Sequence, residues 1–101
     1  MKPTYTIEQM QALNERKGGH WFSKDTMRYF GTRILYGTNV RNHLITKENN
    51  HDNTERRYTI RKFDTETYNV ETVGEFLEYP TRGQAVSALE RIIAELEKYH
   101  R

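Results

Sequence analysis

A chain of 101 residues is long enough for one domain with one modest core. It carries 16 Lys and Arg against 14 Asp and Glu, a net charge of +2, and only 35% hydrophobic residues, offset by an aromatic content of 12%. Aromatic side chains bury more area apiece than aliphatic ones, so a thin core under a polar surface is expected rather than disorder. The absence of cysteine excludes disulfides, thiolate metal sites and cysteine nucleophiles. The opening run Met1-Lys2-Pro3-Thr4-Tyr5-Thr6 lacks the apolar core of a signal peptide, and no stretch approaches a membrane span, so no membrane association is expected.

The first element is a helix capped by Thr6, with Gln9 completing a capping box and Tyr5 and Met10 at staple spacing. Ile7, Met10 and Leu13 form its apolar stripe, and Gly18-Gly19 end it. A second, short helix is expected over 24–30. Ser23 caps it, Phe22 and Met27 staple it, Asp25 suits the positive end of its dipole, and Gly31 closes it. Trp21, Phe22, Met27 and Phe30 read as core.

The pattern then turns to strands. Residues 41–46 make a first strand, with 33–36 as an extended piece before it, and the Asn- and Asp-rich run 47–54 a hairpin loop. Residues 55–63 alternate, with Tyr58 and Ile60 on one face and Arg57, Thr59, Arg61 and Phe63 on the other. A turn at 64–69 leads to a third strand, 70–77, in which Gly74 marks a bulge or a close approach by another element. The last helix is capped by Thr81, with Gln84 completing a box and Pro80 blocking extension upstream. Ala85, Ala88, Leu89, Ile92, Ile93, Leu96 and Tyr99 recur at helical spacing, and Ile92 and Leu96 are expected in the core. The fold class is α+β, in the order α-α-β-β-β-α: a three-stranded antiparallel meander packed by the C-terminal helix, in a single domain 1–101.

Catalytic and metal-binding patterns do not emerge. His20, His43, His51 and His100 form no short-spaced zinc motif, and Glu48-Asn49-Asn50-His51-Asp52-Asn53 lacks the glycine and terminal Glu of a calcium loop. Gly18-Gly19 is not followed by the Gly-Lys-Ser/Thr of a phosphate loop, and no nucleophile elbow surrounds Ser23, whose capping role already accounts for it. No enzyme activity, cofactor or metal is expected.

Charge is segregated. Arg16, Lys17, Lys24, Arg28, Arg33, Arg41 and Lys47 stand against Asp25 alone over 16–47, whereas 64–79 holds Asp64, Glu66, Glu71, Glu75 and Glu78 and no base. Such segregation either steers a charged partner or is consumed internally, Arg57 and Arg61 facing Glu71 and Glu75 across a hairpin. The run Arg56-Arg57-Tyr58-Thr59-Ile60-Arg61-Lys62-Phe63 also interleaves cations with aromatics, as single-strand binders do, which makes Arg56, Arg57, Arg61 and Lys62 candidate phosphate contacts.

The run Gly19-His20-Trp21-Phe22-Ser23-Lys24-Asp25-Thr26-Met27-Arg28-Tyr29-Phe30-Gly31-Thr32-Arg33-Ile34 resembles the signature of a family of small proteins from bacteriophages, prophages and plasmids. The likeness continues through 56–63, Thr72-Val73-Gly74-Glu75-Phe76 and Thr81-Arg82-Gly83-Gln84-Ala85. That family has no assigned activity. The resemblance implies a mobile-element context, in the cytoplasm of a bacterial host. There, a small non-catalytic protein is expected to act as an accessory factor, an inhibitor that occludes a host defence protein or nucleoprotein complex in the manner of anti-CRISPR proteins. Arg28, Tyr29 and Arg33 are the candidate partner-binding residues, because Arg and Tyr dominate interface energetics. The alternative is a small nucleic-acid-binding protein.

Overall fold

Local signals set three helices among the described residues. A computed structural model describes residues 4–29, 31–35, 40–49 and 55–99. Helix α1 (Ile7–Arg16) starts on the expected capping box, in which Thr6 accepts from the Gln9 amide and Gln9 answers to the Thr6 amide. It ends where Gly18, at φ 93, turns the chain and Gly19 N–H closes on the Asn14 carbonyl. Asn14 is buried and donates to the Tyr68 carbonyl at 2.8 Å; a Cβ at position 19 would lie 2.6–2.8 Å from its side-chain amide, so the paired glycines also make room for it.

Helix α2 (Lys24–Tyr29) is capped by Ser23, whose hydroxyl accepts from the Thr26 amide and donates to the Thr26 hydroxyl. Gly31, at φ 62, ends it, with Thr32 N–H reaching back to the Met27 carbonyl. Helix α3 (Arg82–Tyr99) begins on Thr81, which accepts from the Gln84 amide.

Among the described residues four strands, not three, form the antiparallel sheet: β1 (Arg33–Ile34), β2 (His43–Asn49), β3 (Arg56–Phe63) and β4 (Val70–Val73), paired in that order. The additional strand is the front of the extended piece expected at 33–36, bonded to Thr46 and Lys47, and is too short to show a period. Strand β2 starts later than expected because Arg41 and Asn42 take positive φ, and it runs on through Lys47–Asn49, into what reads as loop in the sequence. The rest of that loop, 50–54, together with Phe30, Tyr36, His51, His100 and the side chain of Tyr99, lies outside the described residues.

Strand β4 stops at Val73, short of the expected 77. Gly74, at φ 79, and Leu77, at φ 60, turn residues 74–78 out of the sheet, and Tyr79 returns to pair with Tyr58. The bulge sits opposite Thr59 alone, whose hydroxyl accepts from the Leu77 amide at 2.8 Å. At the turn, a Cβ on residue 74 would meet the Glu78 carboxylate, which accepts instead from the Glu75 amide.

Both faces of the sheet are covered. On one, Ile45 and Ile60 pack against Ala85, Ala88, Leu89 and Ile93 of α3. Leu89 and Ile93 are the buried aliphatic anchors of that helix, whereas Ile92 and Leu96, expected in the core, are half-buried at its margin. On the other face Leu44 and Phe63 pack against Ile7 and Met10 of α1 and against Phe22. Tyr5 meets the Phe63 ring edge-on and Tyr68 stacks on it. Of the aromatics before α2, Phe22 is buried, while Trp21 is half-buried, its ring edge-on to Phe22 at 4.7 Å.

Candidate functional site

The residues that reach one place on this molecule come from seven segments. Trp21 arrives on the turn after α1, Thr26 and Met27 on α2, Thr32 just before β1, Glu48 on β2, Arg61 on β3, Thr72 on β4 and Phe76 on the 74–78 bulge. Together they line a cleft of about 330 Å³ beside the Leu44–Phe63 core.

Arg61 forms its floor. The side chain is only 10% exposed and its Nη2 donates to Glu48 Oε2 at 2.6 Å, with the Glu48 side chain 3% exposed. Its Nη1 donates to the Thr72 hydroxyl at 2.5 Å and its Nε to the Thr46 hydroxyl at 3.3 Å. Glu48 accepts in addition from the hydroxyls of Thr46, at 2.7 Å, and Thr32, at 3.0 Å. Two rings flank the guanidinium, Trp21 at 5.8 Å and Phe76 at 5.4 Å from ring centroid to Cζ, within the range of a cation–π contact. A buried pair with its hydrogen bonds this well met is held in one geometry, because breaking it strands a charge in a poorly solvated place.

The pairing differs from the expectation that Arg57 and Arg61 face Glu71 and Glu75. In the register Arg61 lies opposite Leu44 and Thr72, and Glu48 opposite Arg57, so the Arg61–Glu48 pair runs diagonally along the sheet past Thr46. Arg57 leaves its register neighbour and donates to the carbonyls of Leu77, at 2.6 Å, and Glu78, at 3.0 Å, with Glu55 3.0 Å away; it thereby holds the bulge that carries Phe76.

The remaining sequence candidates are distributed as follows. Arg56 is half-buried and ties the Asn49 side chain to the Gly31 carbonyl; Lys62 is exposed, opposite His43 and Glu71. Alternation along β3 sends Arg57 and Arg61 to one face and Lys62 to the other, so the four cations proposed to contact phosphates do not form one patch. Arg61 in particular, buried against Glu48, is not the exposed phosphate contact expected. Arg28 and Tyr29 are exposed on the last turn of α2, with Tyr29, at 79% exposure, one helical turn on from the cleft residue Thr26. Arg33 is exposed on β1 opposite Lys47, and since Ile34 packs with Phe22 and Leu44, Arg33 points to the α3 side, away from the cleft. Of the cleft residues only Arg61 is among the candidate site residues read from the sequence, where Trp21 and Met27 read as core. Only Gly74 signalled a departure from the strand near Phe76.

His43 is buried on the α3 side. Its Nδ1 lies 2.8 Å from the Arg41 carbonyl, and burial, with Lys62 and Arg41 adding to it, pushes its pKa below the ordinary 6.5. Among the described residues no three His, Cys, Asp or Glu side chains come together to hold a metal ion, and no helix is long and apolar enough to cross a membrane.

Neither the curated proteins nor the solved structures contain a match to this chain. A family described as "Family of unknown function (DUF7447)" does match, over residues 6–90, a span running from the Thr6 cap through every strand and every cleft residue into α3. The chain belongs to that family.

Proposed function

We propose that this chain is a non-catalytic accessory protein of a mobile genetic element, which binds and occludes a surface of a host defence protein or nucleoprotein complex. The observation that carries the reading is the aromatic cleft opening beside an exposed Arg-Tyr pair: Trp21, Met27 and Phe76 around Arg61, with Arg28 and Tyr29 on the adjoining helix. Aromatic and Arg side chains on a rigid concave surface are the usual anchors of protein–protein interfaces. The Arg61–Glu48 floor supports binding rather than acid–base chemistry, since each group is already engaged by the other and by threonine hydroxyls. The likeness of 19–34 to phage, prophage and plasmid proteins supports a host component as the partner.

The test is affinity capture from a bacterial lysate with and without nuclease, using the parent and the double variant Arg28→Glu, Tyr29→Ala. A protein retained by the parent after nuclease, and lost by a variant with the parental circular dichroism spectrum, is the expected result. Disappearance of every captured protein on nuclease treatment overturns the reading in favour of nucleic acid. Equal capture by the variant removes α2 from the interface.

A further inference from the structure

Hydrogen-bond accounting in the cleft identifies the kind of group that fits it. A guanidinium has five N–H donors, of which Arg61 uses one each on Thr46, Thr72 and Glu48. The Thr72 hydroxyl receives an Arg61 proton and the Thr26 hydroxyl receives that of Ser23, so each keeps its own proton to donate. Glu48, the carboxylate of the floor, already accepts from Thr32, Thr46 and Arg61. The floor therefore has donors to spare, while its carboxylate is engaged at both oxygens. Its net charge is close to nil, because Arg61 and Glu48 cancel, which suits a neutral acceptor such as a carbonyl over an anion.

The walls specify the rest. Trp21 is fixed by its edge-on contact with Phe22, Met27 offers a polarizable thioether, and Phe76 is 37% exposed on a bulge pinned by Thr59 and Arg57. About 330 Å³ is at the small end of ligand sites, room for one ring and its peptide group. The Arg61 guanidinium lies within 5.8 Å of both ring centroids and is itself paired with Glu48, so the floor leaves no free positive charge for the phosphate of a nucleotide. Arg57, the next cation on this face of β3, is turned onto the Leu77 and Glu78 carbonyls.

We propose that the Trp21–Phe76 cleft seats one aromatic side chain of the partner protein, its neighbouring backbone carbonyl accepting from the spare donors of Arg61 and Thr72. The proposal rests on the protein-binding function above and adds the chemistry of the group recognised.

Trp21 is the single tryptophan of the chain and lines the cleft, so its emission reports occupancy directly. The experiment titrates the intact chain with N-acetyl-phenylalanine amide and N-acetyl-tyrosine amide, using N-acetyl-leucine amide, uridine and guanosine as comparison arms. A saturable change in Trp21 emission with the two aromatic amides is expected, with Kd of about a millimolar, as befits ligands of this size. Phe76→Ala and Thr72→Val, each checked for the parental circular dichroism spectrum, are expected to weaken it about tenfold or more, since each removes one side of the recognition. The proposal is overturned by an unresponsive Trp21, by leucine amide binding as well as the aromatic amides, or by a Phe76→Ala variant that titrates like the parent. Saturation by the nucleosides alone overturns it too and assigns the cleft to nucleic acid. If lysate capture persists while the amide titration is silent, only this inference falls; if capture itself fails, the proposed function falls.

Discussion

The two faces of the sheet are filled by different physics. Against α3 the contact is aliphatic, Ile45 and Ile60 meeting Leu89 and Ile93, and its stability comes from apolar area removed from water. The opposite face begins the same way, with Leu44 and Phe63 beneath α1, but then buries Arg61 and Glu48 under a cleft. A hydrophobic patch of that size would hold the sheet at least as well, because a buried ion pair scarcely recovers its desolvation cost. The face that buries charge carries the cleft lined by Trp21 and Phe76, and this contrast in what is buried separates the two sides of the sheet.

A single substitution does most damage on the charged face. Glu48→Ala leaves the Arg61 guanidinium buried without its carboxylate and is expected to cost about 3–5 kcal/mol in denaturant unfolding. The double variant Glu48→Leu, Arg61→Met is expected to recover most of that loss while changing the cleft. If the single variant unfolds at the parental denaturant concentration, the pair is not the constraint described. On the aliphatic face Leu89→Ala removes a buried anchor, and a loss of about 2–5 kcal/mol is expected by the same measurement. Unlike the charged pair, it should leave Trp21 emission in the native state unchanged.

A smaller effect is expected at the start of α2. Ser23→Ala deletes the hydroxyl that caps α2 and is expected to cost about 0.5–2 kcal/mol, whereas Ser23→Asp, which can still accept from the Thr26 amide, keeps the parental stability. The smallest expected effect is in pH. His43 binds a proton less readily folded than unfolded, so its contribution to stability is complete above about pH 6.5 and declines as pH falls below that value. His43→Asn keeps a donor for the Arg41 carbonyl but cannot titrate, and should lose less melting temperature than the parent between pH 7 and pH 5. Identical pH profiles would show that His43 is not the group responsible.

What could be read in the amino-acid order was local. Thr6, Ser23 and Thr81 cap helices through partners three residues away, and the faces of β3 follow from strict alternation, so these features are visible without the fold. The cleft depends on register. Arg61 and Glu48 belong to different strands and meet on a diagonal, while the directly opposed Arg57 turns away to the Leu77 and Glu78 carbonyls, a choice that neither charge nor spacing reveals. Gly74 announced an interruption, but its depth depends on where Tyr79 rejoins Tyr58. Strand β1 is defined by its bonds to Thr46 and Lys47 and by no pattern of its own.

The bulge at 74–78 has a further consequence, for how such a protein can change over generations. Its two ends are fastened independently, by the Ile60–Val73 pairing on one side and the Tyr58–Tyr79 bridge on the other, and its stem is held through Thr59 and Arg57. The tip residue, Phe76, answers to none of those backbone bonds. Substitution there reshapes a wall of the cleft while leaving both of those fastenings in place, so the cleft can change one residue at a time on an inherited scaffold.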